Sequence, residues 1–301
     1  MYDIIIIGAG PAGLTAALYA RRADKSVIVL ERGTFGGQIT YSPNIENYPG
    51  YEKISGNELA EKLVGQAIAM GAEIEMAEVT AINCKDGVFY VATDECEYMS
   101  RAVIIATGSK HRHLGLDREE ELTGNGISYC AVCDGAFYNG RTVAVIGGGN
   151  SALVEAIMLS DGCRKVYVVQ NLDYLTGEEK LISVLKERKN VEFIFGSVVD
   201  DLHGDNELEG IIIRNEATGE KQRLDVDGMF VAIGQIPENE IFKEFAELDE
   251  RGYVDSDENC TTKTPGLFVA GDCRKKQIRQ ITTACGDGAV AALAACRYLD
   301  R

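Results

Sequence analysis

At 301 residues, with 46% hydrophobic and 26% charged side chains, the chain has the length and make-up of two globular domains rather than of a disordered or fibrous polymer. A formal charge of −17 argues against partners held by counterion release, nucleic acid and anionic lipid surfaces alike, while leaving room for a local basic patch. No apolar run approaches the roughly 18 residues that span a bilayer, the N-terminus lacks a signal peptide's basic stretch, and nine scattered cysteines suit a reducing cytoplasmic setting better than a secreted disulfide framework.

Residues 3–7 end in four isoleucines, the pattern of a parallel strand buried on both faces. They run into GAGPAG, where Gly8, Gly10 and Gly13 take G-x-G-x-x-G spacing ahead of the helical stretch LTAALYARR. Gly8 permits the tight turn, Gly10 lets backbone approach a pyrophosphate, and Gly13 lets the helix lie close to the sheet. The helix N-terminus then offers free N–H groups to phosphate. A second strand, SVIVL, ends at Glu31, placed to accept hydrogen bonds from ribose hydroxyls. SGNE at 55–58 is a capping box opening a helix to about Met70, and AVIIATGS is a later strand closing on glycine.

The same grammar returns at RTVAVIGGGNSALVEAIML, with Gly147, Gly149 and Ala152 in the fingerprint positions and the strand KVYVV behind them. Gln170 follows Gly147 by the same 23 residues that separate Glu31 from Gly8. MFVAIGQ then mirrors AVIIATGS. The repeat predicts an α/β protein of two Rossmann-like, three-layer dinucleotide-binding domains. The C-terminal stretch VAGDCRKKQIRQITTACGDGAVAALAACRYL has no fingerprint and reads as the completion of the first domain, so the second is an insertion. Polar and Pro/Gly-containing linkers near 109–116 and 234–240 put the first domain at 1–112 and 241–301 and the inserted one at 113–240.

SYCAVCDG at 128–135 sets Cys130 and Cys133 two residues apart, a spacing that suits an exchangeable disulfide or a low-pKa thiol pair, with Asp134 beside it as a proton group. Zinc would need a second ligand pair, and His111 and His113 supply it poorly; two buried structural thiols are the other alternative. We expect no metal. The seven remaining cysteines read as small core side chains or inert thiols.

GAGPAG, FGGQI, ENYPG, IIATG, CAVCDG, VIGGGNSA, FVAIG and VAGDCRKKQIRQI, in this order, resemble the low-molecular-weight thioredoxin reductases nearly end to end. The resemblance implies an FAD domain interrupted by a smaller NAD(P)-binding-like domain that carries the redox pair, usually in a homodimer, with the inserted domain swinging between reduction and transfer. It places Gly8, Gly10, Pro11, Ala12 and Gly13 on the FAD pyrophosphate and Glu31 on its ribose. Gly37, Gln38 and Asn47 lie along the flavin ring, Gly271 and Asp272 at the ribityl and phosphate region, and Arg279, Gln280 and Ile281 near the ring. Val79 and Gly108 complete the cofactor set. In the family's roles Cys133 is the flavin-facing sulfur, Cys130 the thiolate that attacks the thioredoxin disulfide, and Asp134 the acid.

One departure concerns the electron donor. NADPH-using members place a histidine and two arginines where this chain has Gln170, Asn171 and Leu172, and another arginine where it has Thr176. At about 1.5–3 kcal/mol per charge-assisted bond, losing two costs on the order of 10² to 10⁴ in affinity. The gap resembles the pyridine-nucleotide-independent branch, whose members draw electrons from ferredoxin. Arg274, Lys275 and Lys276 then read as a landing site for an acidic ferredoxin, with a plain solvated loop as the alternative. A ferredoxin near about −400 mV against thioredoxin near about −270 mV leaves about 6 kcal/mol for two electrons. An NAD(P)H-dependent thioredoxin reductase, a dithiol oxidase and a flavin-bound redox sensor remain the rival readings.

Overall fold

The computed structural model describes residues 1–42 and 45–301. Contacts divide it into two units, Met1–Lys110 with Ile236–Arg301, and His111–Gln235. The chain begins with β1 (Tyr2–Ile7), α1 (Pro11–Arg22) and β2 (Val27–Glu31), followed by α2 (Gly56–Ala69). The capping box read from SGNE is formed: the Ser55 hydroxyl accepts the Glu58 amide and the Glu58 carboxylate accepts the Ser55 amide. β3 (Glu73–Met76), β4 (Val79–Lys85), β5 (Val88–Thr93) and β6 (Glu97–Ile105) follow, and the chain leaves this unit through β7 (Ser109–His111).

The second unit holds α3 (Glu119–Leu122), β8 (Ile127–Ser128), α4 (Ala131–Asp134), β9 (Thr142–Ile146), α5 (Asn150–Gly162), β10 (Lys165–Val169), α6 (Glu179–Lys186), β11 (Val191–Ile194), β12 (Ser197–His203), β13 (Gly210–Asn215), β14 (Lys221–Leu224) and β15 (Gly228–Val231). Its parallel sheet runs β11-β10-β9-β15-β8, and β12-β13-β14 form a separate antiparallel meander. Strand alternation assigns the faces: Val143, Val145, Val166, Val168 and Phe230 pack with Ala152, Ala156 and Leu159 of α5. Ala144, Ile146, Val169 and Met229 pack with Ile211, Ile213 and Leu224 of the meander. Helices, sheet and meander are the three layers.

The chain returns through β16 (Gln235–Pro237), β17 (Leu267–Val269) and α7 (Ile281–Leu299). Segment 236–240 belongs to the first unit because buried Asn239 accepts from the Thr107 hydroxyl and donates to the Gly252 and Cys273 carbonyls. The first unit's sheet runs β3-β2-β1-β6-β5-β4, with β17 parallel to the second half of β6 while β5 pairs antiparallel with the first half. Ile4 and Ile6 face α1 and α7; Ile5 and Ile7 face the opposite core with Phe89, Phe242 and Val254. α7 closes on α1 through alanines and Gly288, where a Cβ would fall 2.2 Å from the Ala12 carbonyl oxygen. Among the described residues no helix is long and apolar enough to cross a membrane.

Candidate active site and cofactor cradle

Cys130 and Cys133 form a disulfide at the start of α4, with Cα atoms 5.3 Å apart. Cys130 is the N-cap, and its Sγ accepts the Cys133 amide at 3.2 Å, a bond that favours a thiolate there once the disulfide opens. The neighbouring groups are tightly held. The Ser128 hydroxyl donates to Asp134 Oδ2 at 2.6 Å and accepts the Cys130 amide at 3.1 Å, tying carboxyl and cysteine together. Asp134 Oδ1 is buried without a hydrogen-bond partner, and burial pushes its carboxyl above the usual range. A carboxyl so placed can hold a proton beside the pair.

The rest of the cysteine reading also has an address. Cys163, Cys260, Cys273 and Cys296 are buried free thiols, the first three pushed up to about 11 by burial. His111 stacks on Tyr129, and burial presses its imidazole down to about 4; His113 Nδ1 meets the Tyr129 hydroxyl at 3.1 Å. Among the described residues no three His, Cys, Asp or Glu side chains gather as a metal site.

In the first unit the glycine turn has the geometry its sequence requires. Gly8 has φ +110°, and a Cβ on Gly13 would sit 1.9 Å from the Gly8 carbonyl oxygen. Around Gly10 a Cβ would find nothing nearer than the Gly36 carbonyl oxygen at 3.9 Å, leaving its backbone approachable. Pro11 opens α1, and Ala12 lies against Gly271, so the loops after β1 and β17 meet. Glu31 accepts the amides of Ala9 and Gly33, each at 2.8 Å, which holds its carboxylate at the turn. Val79 opens β4 two residues past Ala77, whose amide bonds the Glu31 carbonyl. Gly37 packs on Gly10, exposed Gln38 follows it in a 3₁₀ turn, and Asn47 Nδ2 donates to Gln280 at 3.2 Å. Gly108 takes φ +68° just past the end of β6. Gln280 and Ile281 start α7.

Asp272 and Arg279 complete this cluster. Asp272 Oδ1 is buried with no hydrogen-bond partner, and burial pushes the carboxyl up to about 6. Arg279 lies over the Tyr253 ring, 4.2 Å from its centroid, and its Nε donates to the Asp272 carbonyl at 3.4 Å. These residues fit FAD: an approachable glycine turn for a pyrophosphate, a fixed carboxylate at the ribose position, and an orphan buried acceptor that a ribityl hydroxyl would satisfy.

The landing patch expected at Arg274, Lys275 and Lys276 is not a patch. Arg274 and Lys276 side chains are 11% exposed and turn inward to Asp287, at 3.0 and 2.8 Å. Lys275 alone reaches solvent, beside Asp255. The cause is local: Asp287 of α7 also accepts the Gly271 amide, so the basic run braces the turn after β17. Sequence reasoning passed over Asp287, Ser128 and Glu155. Their signal was present for the two acids, each a charged residue in buried register on an apolar helix (Asp287 beside Ala284 and Ala291, Glu155 beside Ala152 and Leu159).

The second glycine turn copies the first. Gly147 has φ +128°, and a Cβ there would meet the Ala232 carbonyl oxygen at 2.6 Å, as one on Gly8 would meet that of Ala106 at 2.3 Å. The strand end differs. Gln170 is buried and folds over Gly148, where a Cβ would fall 2.6 Å from its Cδ; its Nε2 donates to the Tyr174 carbonyl at 3.4 Å. The following loop is pinned by the Thr176 and Gly177 amides on the Gly148 carbonyl.

The sequence pattern of the pyridine nucleotide-disulphide oxidoreductases matches residues 2–288. The chain is 44% identical to a 34.2 kDa protein in the rubredoxin operon of Clostridium pasteurianum, over 99% of this chain and 97% of that one. It is 40% identical to the thioredoxin reductase of Bacillus subtilis, over 100% and 95%. Among solved structures, thioredoxin reductase from Streptococcus pyogenes superposes with a TM-score of 0.95 at 42% identity, covering 100% of this chain and 98% of that one. The enzyme from Giardia duodenalis gives 0.93 at 34%, covering 100% and 99%. With two glycine-turn folds, a buried Asp272 acceptor that fits a flavin's ribityl hydroxyl and a Cys-x-x-Cys disulfide, the chain belongs to the low-molecular-weight thioredoxin reductases, FAD flavoproteins of the pyridine nucleotide-disulphide oxidoreductase family.

Proposed function

We propose that this protein reduces the disulfide of thioredoxin through Cys130 and Cys133, and that it draws its electrons from a reduced ferredoxin rather than from NADPH. The substrate follows from the thioredoxin reductases it resembles. The donor rests on one observation, the strand end at Gln170. Residues 170–179 contain no lysine or arginine and three carboxylates, Asp173, Glu178 and Glu179. Apart from Lys180, the next residue, a 2′-phosphate brought there meets a surplus of like charge and none of the clamp's arginines. With Arg274 and Lys276 turned inward, basic docking at 274–276 no longer supports a ferredoxin, and the missing clamp carries the proposal alone.

In this reading the first unit holds FAD through Gly8, Gly10, Pro11, Ala12, Gly13, Glu31, Gly37, Gln38, Asn47, Val79, Gly108, Gly271, Asp272, Arg279, Gln280 and Ile281, and the inserted unit carries the redox pair. Bound FAD supplies a carrier that accepts single electrons and releases them as a pair. The Cys130–Cys133 bond opens on receiving that pair, with Cys133 the flavin-side sulfur and Cys130 the nucleophile. The Cys133 amide steadies a thiolate at Cys130, and Asp134, held by Ser128, carries the proton exchanged with the departing sulfur. We expect a homodimer, as in the family.

The intact turn at Gly147–Gly149 favours a second reading, an NAD(P)H-dependent enzyme with contacts outside the arginine positions. One anaerobic experiment separates the two. Oxidised holoenzyme is mixed with NADPH, NADH or photoreduced ferredoxin, and the flavin's visible absorbance and thioredoxin reduction are followed. Ferredoxin alone should bleach the flavin and drive turnover. Rapid bleaching by micromolar NADPH overturns the ferredoxin assignment. Failure of every donor to support thioredoxin reduction overturns the substrate as well.

A further inference from the structure

Glu155 is a carboxylate in a place built for an apolar side chain. It lies three positions after Ala152 and four before Leu159, both buried on the inner face of α5. Its carboxyl faces the backbone amide of Ala131, the residue after Cys130, which packs in one core with Ala152, Ala156 and Leu159 of α5. Its other oxygen, Oε2, is buried and has no hydrogen-bond partner. Ionising such a group is costly, because nothing replaces the water it gave up. Burial pushes it up to about 8, opposed only by the Ala131 amide.

Charged groups stand on the packed elements, but none of their side chains acts on the carboxyl. α4 contributes Asp134, itself pushed up by burial and bonded to Ser128. The 3₁₀ turn Gly135–Tyr138 contributes Tyr138, pushed up to about 12. α6 and its cap contribute Glu178, bonded to Asn150, with Glu179, Lys180 and Lys186. β10 contributes Tyr167 and Lys165, the latter bonded to Glu192, and β9 contributes none.

We propose that Glu155 is a positioning residue and a redox-linked proton site for the Cys130–Cys133 pair, taking up a proton when the disulfide is reduced and releasing it when the substrate reoxidises the pair. The inference rests on Cys130 and Cys133 being the redox pair. Reduction breaks their S–S bond with two electrons; one sulfur takes a proton and the other stays as a thiolate. That new negative charge, on the loop whose Ala131 amide Glu155 faces, makes the carboxylate a stronger base. In transfer, the Cys130 thiolate attacks a substrate sulfur and the substrate S–S bond breaks. Cys133 then attacks Cys130, and both electrons leave with the substrate dithiol. The proton on Glu155 is released as the thiolate charge disappears.

The test equilibrates holoenzyme with reduced and oxidised dithiothreitol from pH 7 to 9.5 and reads the reduced fraction of Cys130–Cys133 by alkylation and mass spectrometry. Glu155→Gln keeps shape and neutrality. The ratio of wild-type to E155Q reduction equilibria, in which the reagent's own pH dependence cancels, should fall several-fold across this range, up to tenfold. A ratio independent of pH overturns the proposal, including the case where Glu155→Ala and Glu155→Gln shift the equilibrium equally at every pH, as a purely structural role would. The reading of the pair is tested separately: Cys133→Ser should trap thioredoxin as a mixed disulfide and Cys130→Ser should not. Failure there, with thioredoxin still reduced by the wild type, removes the basis of the inference.

Discussion

Supplying the missing phosphate clamp tests the donor assignment from the opposite direction. Asn171, Leu172 and Thr176 are all exposed, so Asn171→Arg, Leu172→Arg and Thr176→Arg add three cations without disturbing a core. The loop backbone does not depend on those side chains. The Gln170 amide bonds the Ile194 carbonyl at 2.9 Å, the Gly196 amide bonds the Leu172 carbonyl at 3.0 Å, and the Thr176 amide bonds the Gly148 carbonyl at 2.8 Å. A charge-assisted bond to phosphate contributes about 1.5–3 kcal/mol where water is excluded, but exposed pairs contribute about 1 kcal/mol or less. Two arginines engaging the 2′-phosphate from an exposed loop should therefore stabilise NADPH over NADH by about 2 kcal/mol, a preference on the order of 30-fold. Calorimetric titration of the holoenzyme with each nucleotide gives the ratio, and raising the salt from 0.05 to 0.5 M should shrink it. Wild type should show no preference. A triple variant that still fails to distinguish the two nucleotides, or a wild type that already does, would refute the placement of the phosphate beside this loop.

Gly13→Ala puts a methyl 1.9 Å from the Gly8 carbonyl oxygen, and since backbone cannot yield cheaply the turn should open at a cost of about 1–3 kcal/mol, seen as purified protein with a low flavin-to-protein absorbance ratio. Asp287→Asn leaves Arg274 without its anion and Lys276 with only the more distant Asp272, and loosens the Gly271 turn; we expect a melting temperature lowered by several degrees, equivalent to about 3 kcal/mol, and faster flavin release by fluorescence. Asp272, raised from 3.8 to about 6 by burial, favours the folded apoprotein below pH 4 and loses that contribution as pH rises through 6. The shift is equivalent to at most about 3 kcal/mol, and a side chain still 30% exposed brings it lower. Asp272→Asn apoprotein should accordingly melt above wild type at pH 8 and match it at pH 4, while the FAD-loaded forms rank in reverse at pH 8; equal melting of the apoproteins at pH 8 refutes the burial argument.

The frame of the molecule was legible because its signals are local. Four isoleucines, a glycine spacing and a capping box each act within a few residues, and the second copy at the same offset identifies the repeat without any long-range contact. Cys130 and Cys133 were legible for the same reason. What stayed hidden depends on residues brought together from afar. Asp287 meets Arg274 and Lys276 only because α7 folds back on the turn after β17, so a run of cations that reads as a surface patch is in fact neutralised internally. Glu155 reaches Ala131 only when α5 packs against α4, and the Ser128–Asp134 bond needs the turn from β8 into α4. Charge runs are the weakest part of a linear reading, since the partner that decides their meaning lies elsewhere in the chain.

The two glycine turns offer a comparison within one protein. The turns themselves are alike, down to a carbonyl oxygen that forbids a side chain at the first glycine of each. Besides Ala152 standing where the first copy has Gly13, they part at the side chain after the second strand. Glu31 is held by the Ala9 and Gly33 amides, leaving a fixed anion for ribose hydroxyls. Gln170 at the matching position is neutral, buried and spent on the Tyr174 carbonyl. Fold and topology are thus set by glycines and branched apolar strands, while ligand choice is set by one strand end that those residues do not constrain. Likeness to thioredoxin reductases reads the first of these and is insensitive to the second, since a few substitutions in 301 residues barely change identity or superposition. The donor therefore has to be decided at residues 170–176, by nucleotide titration of this chain.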